Sequence, residues 1–497
     1  MGAIGKSLAS WALASILAVS GGTASAQAGE PTKADRKALA EIGAALAKGD
    51  CASILKRGAR LVERGQRSLG EGLTASIYEM MAFCHLEAKR LDKAYALAMR
   101  GTALAESSPE LWTIRLDIEA WEKRYADAAS TLEAMALGQG AALNSIRPNW
   151  MWELLRGMKD AGMAEGRSRV LKLLASDAYA PLETYGSNDG FRFEYAQDRL
   201  AAGDTATAGR VVATLESPSN IAAASLDPRM RGYLPSLDVA AAAAKKLARH
   251  QSWVAREPDR LRPLIAAAEN LRQLGRAEEA LALLRSAEPR LAKLTAAEDS
   301  DHVNWWWNEL AITYGTLRRL DEAVAAYGNG IKASEDGAPN VSQLINLALA
   351  QNRFGRPEAA LETLARRDLA AGGASPYGVM LYRQARACAL HMDGRGGEGA
   401  ADVAYIKSHE KDAPAAVMDV HLCLGDMEAA AASAVRRLED PELRPDVLLE
   451  LSDFDLAPPP LASDRIARNL EELKKRPDVK AAIEGAGGIR RFNVAEA

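Results

Sequence analysis

The sequence predicts an all-α fold in which short helical hairpins stack side by side as a solenoid. Three observations carry that expectation. A turn reading RLDKAY, RYADAA, GRAEEA or GRPEAA keeps returning, and its alanine falls at Ala94, Ala128, Ala208, Ala280, Ala323 and Ala360. The first two alanines are 34 residues apart, a period at which each unit is one helix–turn–helix burying its apolar face against its neighbours. Aromatic residues make up only 5% of the chain while alanine is abundant, which favours helices packed through small side chains over a β-rich fold. Finally, 497 residues exceed what one compact core accommodates, so several domains or an extended array is expected.

Taken from the start, residues 1–26 read as a signal peptide. Lys6 supplies a positive region and Leu8 to Val19 a short apolar run, and Ala24-Ser25-Ala26 fits the small-x-small rule, with cleavage expected between Ala26 and Gln27. The run is short and interrupted by serine, which argues against a membrane span. No cysteine follows it to take a lipid anchor, and no later segment is apolar enough to cross a bilayer. Length, the single lysine and Ala-x-Ala fit a bacterial leader, so a soluble periplasmic or secreted protein is expected. A retained N-terminal anchor is the competing reading.

Residues 27–37 read as a flexible leader and 38–216 as an N-terminal block of hairpins, with loops at Asn144 to Asn149 and Tyr185 to Gly190. Residues 217–235 carry Pro218, Pro228 and Pro235 and read as a linker. A central block spans 236–370, and Gly372, Gly373 and Pro376 mark the loop that opens a degenerate block over 371–452. Pro458-Pro459-Pro460 forms a stiff elbow within 453–497, followed by a charged helix and tail. A polar last helix is what a solenoid needs to cap its exposed apolar end.

The four cysteines form two pairs, Cys51 with Cys84 and Cys388 with Cys423, spaced 33 and 35 residues apart, about one repeat each. In an oxidising compartment such pairs suit structural disulfides clipping adjacent hairpins. The competing reading makes each a small buried hydrophobe, because spacing alone does not bring Cα atoms within bonding distance.

These units resemble the tetratricopeptide repeat family. That pattern asks for large residues at positions 4, 7, 11, 17 and 24 and small ones at 8, 20 and 27. Trp307, Leu310, Ala311, Tyr314, Leu320, Ala323, Tyr327 and Gly330 satisfy all of them. Leu344, Leu347, Ala348, Gly355, Ala360 and Leu364 fit the next unit, and Leu264, Ala268, Leu271, Gly275, Ala280 and Leu284 another. Tyr78, Ala82, Leu91, Ala94 and Gly101 fit an early unit, followed by Trp112, Leu116, Tyr125, Ala128 and Leu132. The small residues let helix backbones approach closely while the large ones fill the space around them. The resemblance implies a right-handed superhelical solenoid of roughly ten hairpins.

It also implies a concave wall built by the first helix of each unit through positions 2, 5, 9, 12 and 13. Those positions hold Arg262, Ile265, Glu269, Arg272 and Gln273, then Trp305, Asn308, Ile312 and Thr316, then Ile345, Leu349, Asn352 and Arg353. Apolar, amide and guanidinium groups together suit an extended peptide or a partner helix, and Arg and Trp anchor interfaces most often. The family's carboxylate clamp is not assembled, since Asn308 matches at position 5 but Ile312 stands at 9 and Trp305 at 2. Successive helical residues point about 100° apart. Trp305 is therefore expected in the groove, Trp307 in the core, and Trp306 toward a neighbouring helix or partly exposed.

Chemistry-bearing patterns dissolve on inspection. Gly394, Gly396 and Gly399 spell G-x-G-x-x-G, but after a helix rather than a strand, so a repeat turn is the better account. Ser53 to Lys56 and Ser408 to Lys411 spell S-x-x-K without the companion K-T-G. His85, His250, His302, His391, His409 and His421 lack ligand spacing. His391 and His421 are placed to meet across stacked hairpins, without a third ligand. No catalytic residue, metal site or cofactor is expected. The net charge of −4 includes no long run of either sign, so a nucleic-acid partner, which needs a concentrated basic face, is not expected. The expected function is an exported scaffold for protein–protein or protein–peptide interaction in the cell envelope. The alternatives are a carbohydrate-binding accessory of envelope polysaccharide assembly, with Trp305 stacking on sugar, and a hydrolase with an unrecognised site in the C-terminal block.

Overall fold

The computed structural model describes residues 31–63, 69–182, 187–291, 302–333, 340–369 and 373–496. The expected leader peptide and its cleavage site lie outside the described residues, as do Tyr185 and Gly372 of the expected loops. The chain divides into two compact units, Met1–Val211 and Val212–Ala497. Among the described residues both are helical, apart from two strands of two residues each in the second.

The first unit contains α1 (Lys33–Leu46), α2 (Cys51–Glu63), α3 (Glu71–Glu87), α4 (Leu91–Thr102), α5 (Pro109–Trp121) and α6 (Tyr125–Gly138). After these come the short α7 (Gly140–Ser145), then α8 (Pro148–Asp160), α9 (Ala164–Leu174), α10 (Asp189–Ala201) and α11 (Thr205–Val212). Residues 33–37, expected as flexible leader, instead open α1. The Thr32 side chain accepts from the Asp35 amide and Asp35 answers with the Thr32 amide, a reciprocal cap that satisfies two orphan donors and fixes the start.

The second unit opens with α12 (Pro218–Leu226), α13 (Pro228–Arg231) and α14 (Val239–Arg256). Most of residues 217–235, expected as a linker, is therefore helical. Pro218 and Pro228 stand in the first turn of their helices, where the missing N–H has no intrahelical partner to lose and the fixed φ suits the helix. Five hairpins follow: α15 (Leu261–Gln273) with α16 (Ala277–Leu291), α17 (Val303–Thr316) with α18 (Leu320–Lys332), α19 (Ser342–Arg353) with α20 (Pro357–Ala365), α21 (Pro376–Met392) with α22 (Ala400–Ser408), and α23 (Pro414–Leu424) with α24 (Met427–Glu439).

One turn geometry recurs in ten hairpins among the described residues. A left-handed residue follows each first helix: Gly49, Lys89, Lys123, Gly162, Gly203, Gly275, Arg318, Gly355, Gly394 and Gly425. The amide of the next residue reaches back to a carbonyl in the last helical turn, as from Arg90 to His85, Arg276 to Leu271 and Arg356 to Gln351, each at 2.8 Å. This closure satisfies carbonyls the helix end leaves open. The six turn alanines are all buried, and the small residues have the expected cause. A Cβ on Gly101 would stand 2.1 Å from Leu111, and one on Gly330 would stand 3.1 Å from Trp307. The apolar core passes from hairpin to hairpin, as where Leu264, Leu284, Trp306, Tyr327 and Leu347 share one cluster.

The second unit does not end in an open array. After α24 the chain forms α25 (Arg444–Leu451), which packs against α12 at the start of the same unit. Strand β1 (Asp453–Phe454) follows, then α26 (Arg465–Leu473), α27 (Pro477–Gly485) and strand β2 (Arg491–Phe492). The strands pair in parallel, Asp453 with Arg491 and Phe454 with Phe492. Helix α26 buries only Leu473 and covers α23, while α27 covers α24, so a largely polar helix caps the last hairpin. The segment between β1 and α26 lies across the turns of earlier hairpins. Leu456 packs on Gly275, Arg318 donates to the Pro459 carbonyl, and Ser463 donates to the Arg353 carbonyl at 2.8 Å.

Candidate functional site

The first helices of the second unit, α15, α17, α19, α21 and α23, carry an unusual number of buried polar groups: Asn270, Arg272, Gln273, Glu309, Asn352, Gln384 and His421 among them. Buried polar atoms must be paired or they cost several kcal/mol, roughly 2–7 on transfer scales. Their partners define the wall.

The residues expected to form the wall fall at two ends of their helices. Near the N-terminal ends of α15, α17 and α19 stand Arg262, Trp305, Asn308 and Ile345. Trp305 is 41% exposed, Ile345 is buried, and Arg262 and Asn308 are half-buried. Asn346 donates to the Asn308 amide oxygen at 2.9 Å, which couples α19 to α17. Burial pulls the Arg262 guanidinium below its usual pKa. Ile265, Glu269, Ile312 and Leu349 occupy the middle and are half-buried. The Thr316 hydroxyl is spent on the Ile312 carbonyl at 3.0 Å.

At the C-terminal ends the wall is already engaged. Arg272, 6% exposed, donates through Nε to Glu309 Oε1 at 2.8 Å and through Nη2 to Oε2 at 3.4 Å. Its Nη1 lies 2.6 Å from Glu496 Oε1. The Ala495 amide donates to the Gln273 carbonyl at 2.7 Å. Behind these, His250 Nδ1 meets Asn270 Oδ1 at 2.8 Å, and Asn270 donates to the Gln273 side chain at 3.0 Å. Asn352 donates to the Ala385 carbonyl at 2.7 Å. Arg353 is exposed and lies 3.3 Å from Asp464. Gln384 of α21 donates to Asp419 of α23 at 3.2 Å, and Arg437 of α24 forks onto Glu450 of α25 at 2.7 and 2.8 Å.

Burial pushes the Glu309 carboxyl up to about 7 despite the attraction of Arg272, with Glu269 and Glu496 adding to the rise. Burial likewise opposes the charge on Arg272, but Glu309 and Glu496 outweigh it and hold the guanidinium protonated. Asp419 is raised to about 7 by burial, with Glu450 adding and the Gln384 hydrogen bond opposing.

The tryptophan triplet is arranged differently from expectation in one respect. Trp306, not Trp307, is the fully buried member, donating its indole N–H to the Leu284 carbonyl at 3.1 Å. Trp307 is half-buried, edge-on to Trp306 at 4.6 Å between ring centroids. The reason is packing from two sides: Trp307 faces Gly330 in its own hairpin, whereas Trp306 fills the joint with the preceding one.

The sulfur atoms of Cys51 and Cys84 stand at disulfide distance, joining α2 to α3 with Cα atoms 5.3 Å apart. Those of Cys388 and Cys423 join α21 to α23 with Cα atoms 5.7 Å apart. His391 and His421 do not form a shared site. His391 Nε2 lies 3.2 Å from the Arg465 guanidinium, and His421 lies 3.3 Å from Asp426. Among the described residues, no three His, Cys, Asp or Glu side chains converge as metal ligands. Gly394 is a hairpin turn residue, and a Cβ on Gly399 would stand 3.3 Å from the Ala387 backbone, so the glycine-rich stretch serves helix approach.

Sequence reasoning passed over Glu309, Asn270, Glu496 and Asp464. Glu309 had a readable signal, a lone acid in the apolar run WWWNELAITYG. Glu496 and Asp464 had none, because each meets its arginine from a distant part of the chain.

No family model matches the chain, and no curated protein matches it. Among solved structures, the crystal structure of the APC/C hetero-tetramer Cut9–Hcn1 is similar at 10% identity, covering 96% of this chain and 98% of that one with a TM-score of 0.30. At that score the likeness assigns neither fold nor partner, and the functional reading rests on the geometry above. Among the described residues no helix is long and apolar enough to cross a membrane.

Proposed function

We propose that this chain is an exported bacterial member of the tetratricopeptide repeat family that acts as a scaffold, gripping an extended segment of another protein on the wall formed by α15, α17 and α19. The observation that carries this reading is the row Arg262, Glu269, Trp305, Asn308, Ile312 and Leu349, which stays partly accessible beside the buried core residues Leu264, Ala268, Leu310 and Leu347. Core packing does not require that mixture of indole, amide, guanidinium and aliphatic groups. An extended ligand does, since it offers backbone groups to amides and alternate side chains to apolar pockets. The two cysteine pairs at disulfide distance support export, because such bonds persist in oxidising compartments.

The test compares proteins retained from an envelope extract by the wild type and by the double variant Trp305→Ala, Asn308→Ala. Loss of a retained species at an unchanged melting temperature supports the wall as the partner surface. Identical retention refutes it. Sequencing the N-terminus of the mature protein checks export, with Gln27 expected first.

A further inference from the structure

We infer that the Arg272 end of the wall is a carboxylate-recognition site for an extended polypeptide and that Ala495–Glu496 occupies it in cis, so that an acidic segment of a partner binds by displacing it; this rests on the wall being the partner surface.

The chain leading to the site is firmly seated. Amides of Asp453, Asp455 and Leu456 donate to the carbonyls of Arg490, Phe492 and Val494 at 2.9, 2.9 and 3.1 Å. Phe492 and Val494 are buried, and Phe492 stacks on Phe454 at 5.7 Å. Beyond Val494 the character changes. Ala495 is held through its amide on the Gln273 carbonyl, and Glu496 through its carboxylate on Arg272, with the Glu496 side chain still 46% exposed. A main-chain hydrogen bond at one residue and a side-chain contact at the next is how an extended peptide is read by a wall.

The electrostatics mark Glu496 as an occupant rather than a structural partner. Arg272 gives two of its donors to Glu309 in a fork. Glu496 brings a further carboxylate to one guanidinium, with Glu269 near enough to act on Glu309 as well. Glu309 stays buried on the guanidinium, whereas the Glu496 side chain is 46% exposed and so accessible enough to leave. The neighbouring wall arginine repeats the pattern. Arg353, at the same end of α19, faces Asp464 from the segment that crosses the hairpin turns. Both predicted wall arginines at this end thus meet acids supplied by the last 34 residues of the sequence. The ligand chemistry follows from the occupant: an extended segment with small or branched apolar residues preceding a glutamate or aspartate.

The experiment uses a fluorescently labelled peptide copying residues 493–496, amidated at its C-terminus, titrated by anisotropy into the full chain and into a variant ending at Val494, which keeps the seated strand and vacates the places of Ala495 and Glu496. A tethered occupant competes at an effective concentration of roughly millimolar, so the variant is expected to bind the peptide at least ~10-fold more tightly than the wild type. A peptide carrying Gln in place of its Glu is expected to lose that gain. Equal affinity for both proteins, no binding to either at millimolar peptide, or full binding of the Gln peptide each overturns the inference. Partner retention that depends on Trp305 but not on Glu496 would overturn the cis occupant while leaving the wall intact. Retention that depends on neither overturns the functional reading itself.

Discussion

Replacing Trp306 by alanine tests the packing from which everything else is built. The side chain is fully buried where α17 meets the preceding hairpin, and its N–H is bonded to the Leu284 carbonyl. Truncating a core tryptophan costs about 3–5 kcal/mol, from lost transfer energy and the cavity left behind. The lost hydrogen bond belongs near the upper part of that range. The second unit has about 290 residues, and unfolding entropy near 60 °C is roughly 2.1 cal/mol/K per residue. That gives about 0.6 kcal/mol per degree, so a loss of about 4 kcal/mol lowers the melting temperature of the second unit by about 7 °C. Trp305→Ala removes a side chain that is already 41% exposed, and its cost is expected near ~1 kcal/mol, or less than about 2 °C. Trp307→Ala should fall between them. Calorimetry on the three variants gives the comparison, with the transition of the first unit as internal control. Equal shifts for Trp305→Ala and Trp306→Ala, or a shift below about 2 °C for Trp306→Ala, would refute the assigned faces.

Three further outcomes are expected. Lys123 holds φ at 57° in a hairpin turn, so Lys123→Gly should stabilise the first unit by up to ~1 kcal/mol, whereas Gly162→Ala at φ 69° should destabilise it by about 1 kcal/mol; urea midpoints moving the other way would disprove the turn assignment. Breaking the Cys388–Cys423 link by double serine substitution should cost roughly 4 kcal/mol on the chain-entropy account of a ~35-residue loop, and thermal melts insensitive to both the substitution and reductant would contradict it. Burial raises Glu79 from 4.5 to about 7, against the pull of its hydrogen bond from Ser108. A carboxyl whose folded pKa exceeds its unfolded one stabilises fully below the unfolded value, and that contribution fades as pH rises through the folded value. Stability of the first unit should therefore fall between pH 4.5 and 7, and Glu79→Gln should flatten that fall; an unchanged pH profile would count against the burial of this group.

The repeat alanines were legible because each does the same local job: at Ala94, Ala128, Ala280, Ala323 and Ala360 a larger side chain would push two helices apart. The turns were half legible. Glycine announces a left-handed residue at Gly275 or Gly355, but Lys89, Lys123 and Arg318 adopt the same geometry with no compositional cue. The Pro218 and Pro228 cluster misled because proline interrupts a helix only from within and is favoured in the first turn. The Thr32–Asp35 cap was visible in principle, a threonine followed three residues later by an acid, and lay inside a stretch too polar to suggest a core helix. For the tryptophans, a 100° step separates neighbours clearly, but which of two adjacent residues is fully enclosed depends on how the next hairpin leans, and the repeat pattern specifies contacts within a unit better than between units.

The Arg272 site exposes the deeper limit of periodic reading. A repeat records what each hairpin requires of its nearest neighbours, so it announces Leu264 or Ala280 and is silent about a chain that returns from far away. Arg272 and Arg353 looked like free wall residues because nothing within a repeat explains a guanidinium at that end of a first helix. In the folded chain each meets an acid, Glu496 or Asp464, and the helix ends beside them take donors from the same returning segment: Ser463 on the Arg353 carbonyl, Arg465 on the Cys423 carbonyl at 2.6 Å and Asn469 on the Leu422 carbonyl at 2.6 Å. Carbonyls at a helix C-terminus carry partial negative charge and favour such donors. The returning chain thus satisfies two different demands at once, capping helices with its donors and meeting wall arginines with its acids. The second, on the inference above, is exchangeable with an extended acidic chain that reaches the same end of the wall, since the Glu496 side chain on Arg272 is 46% exposed.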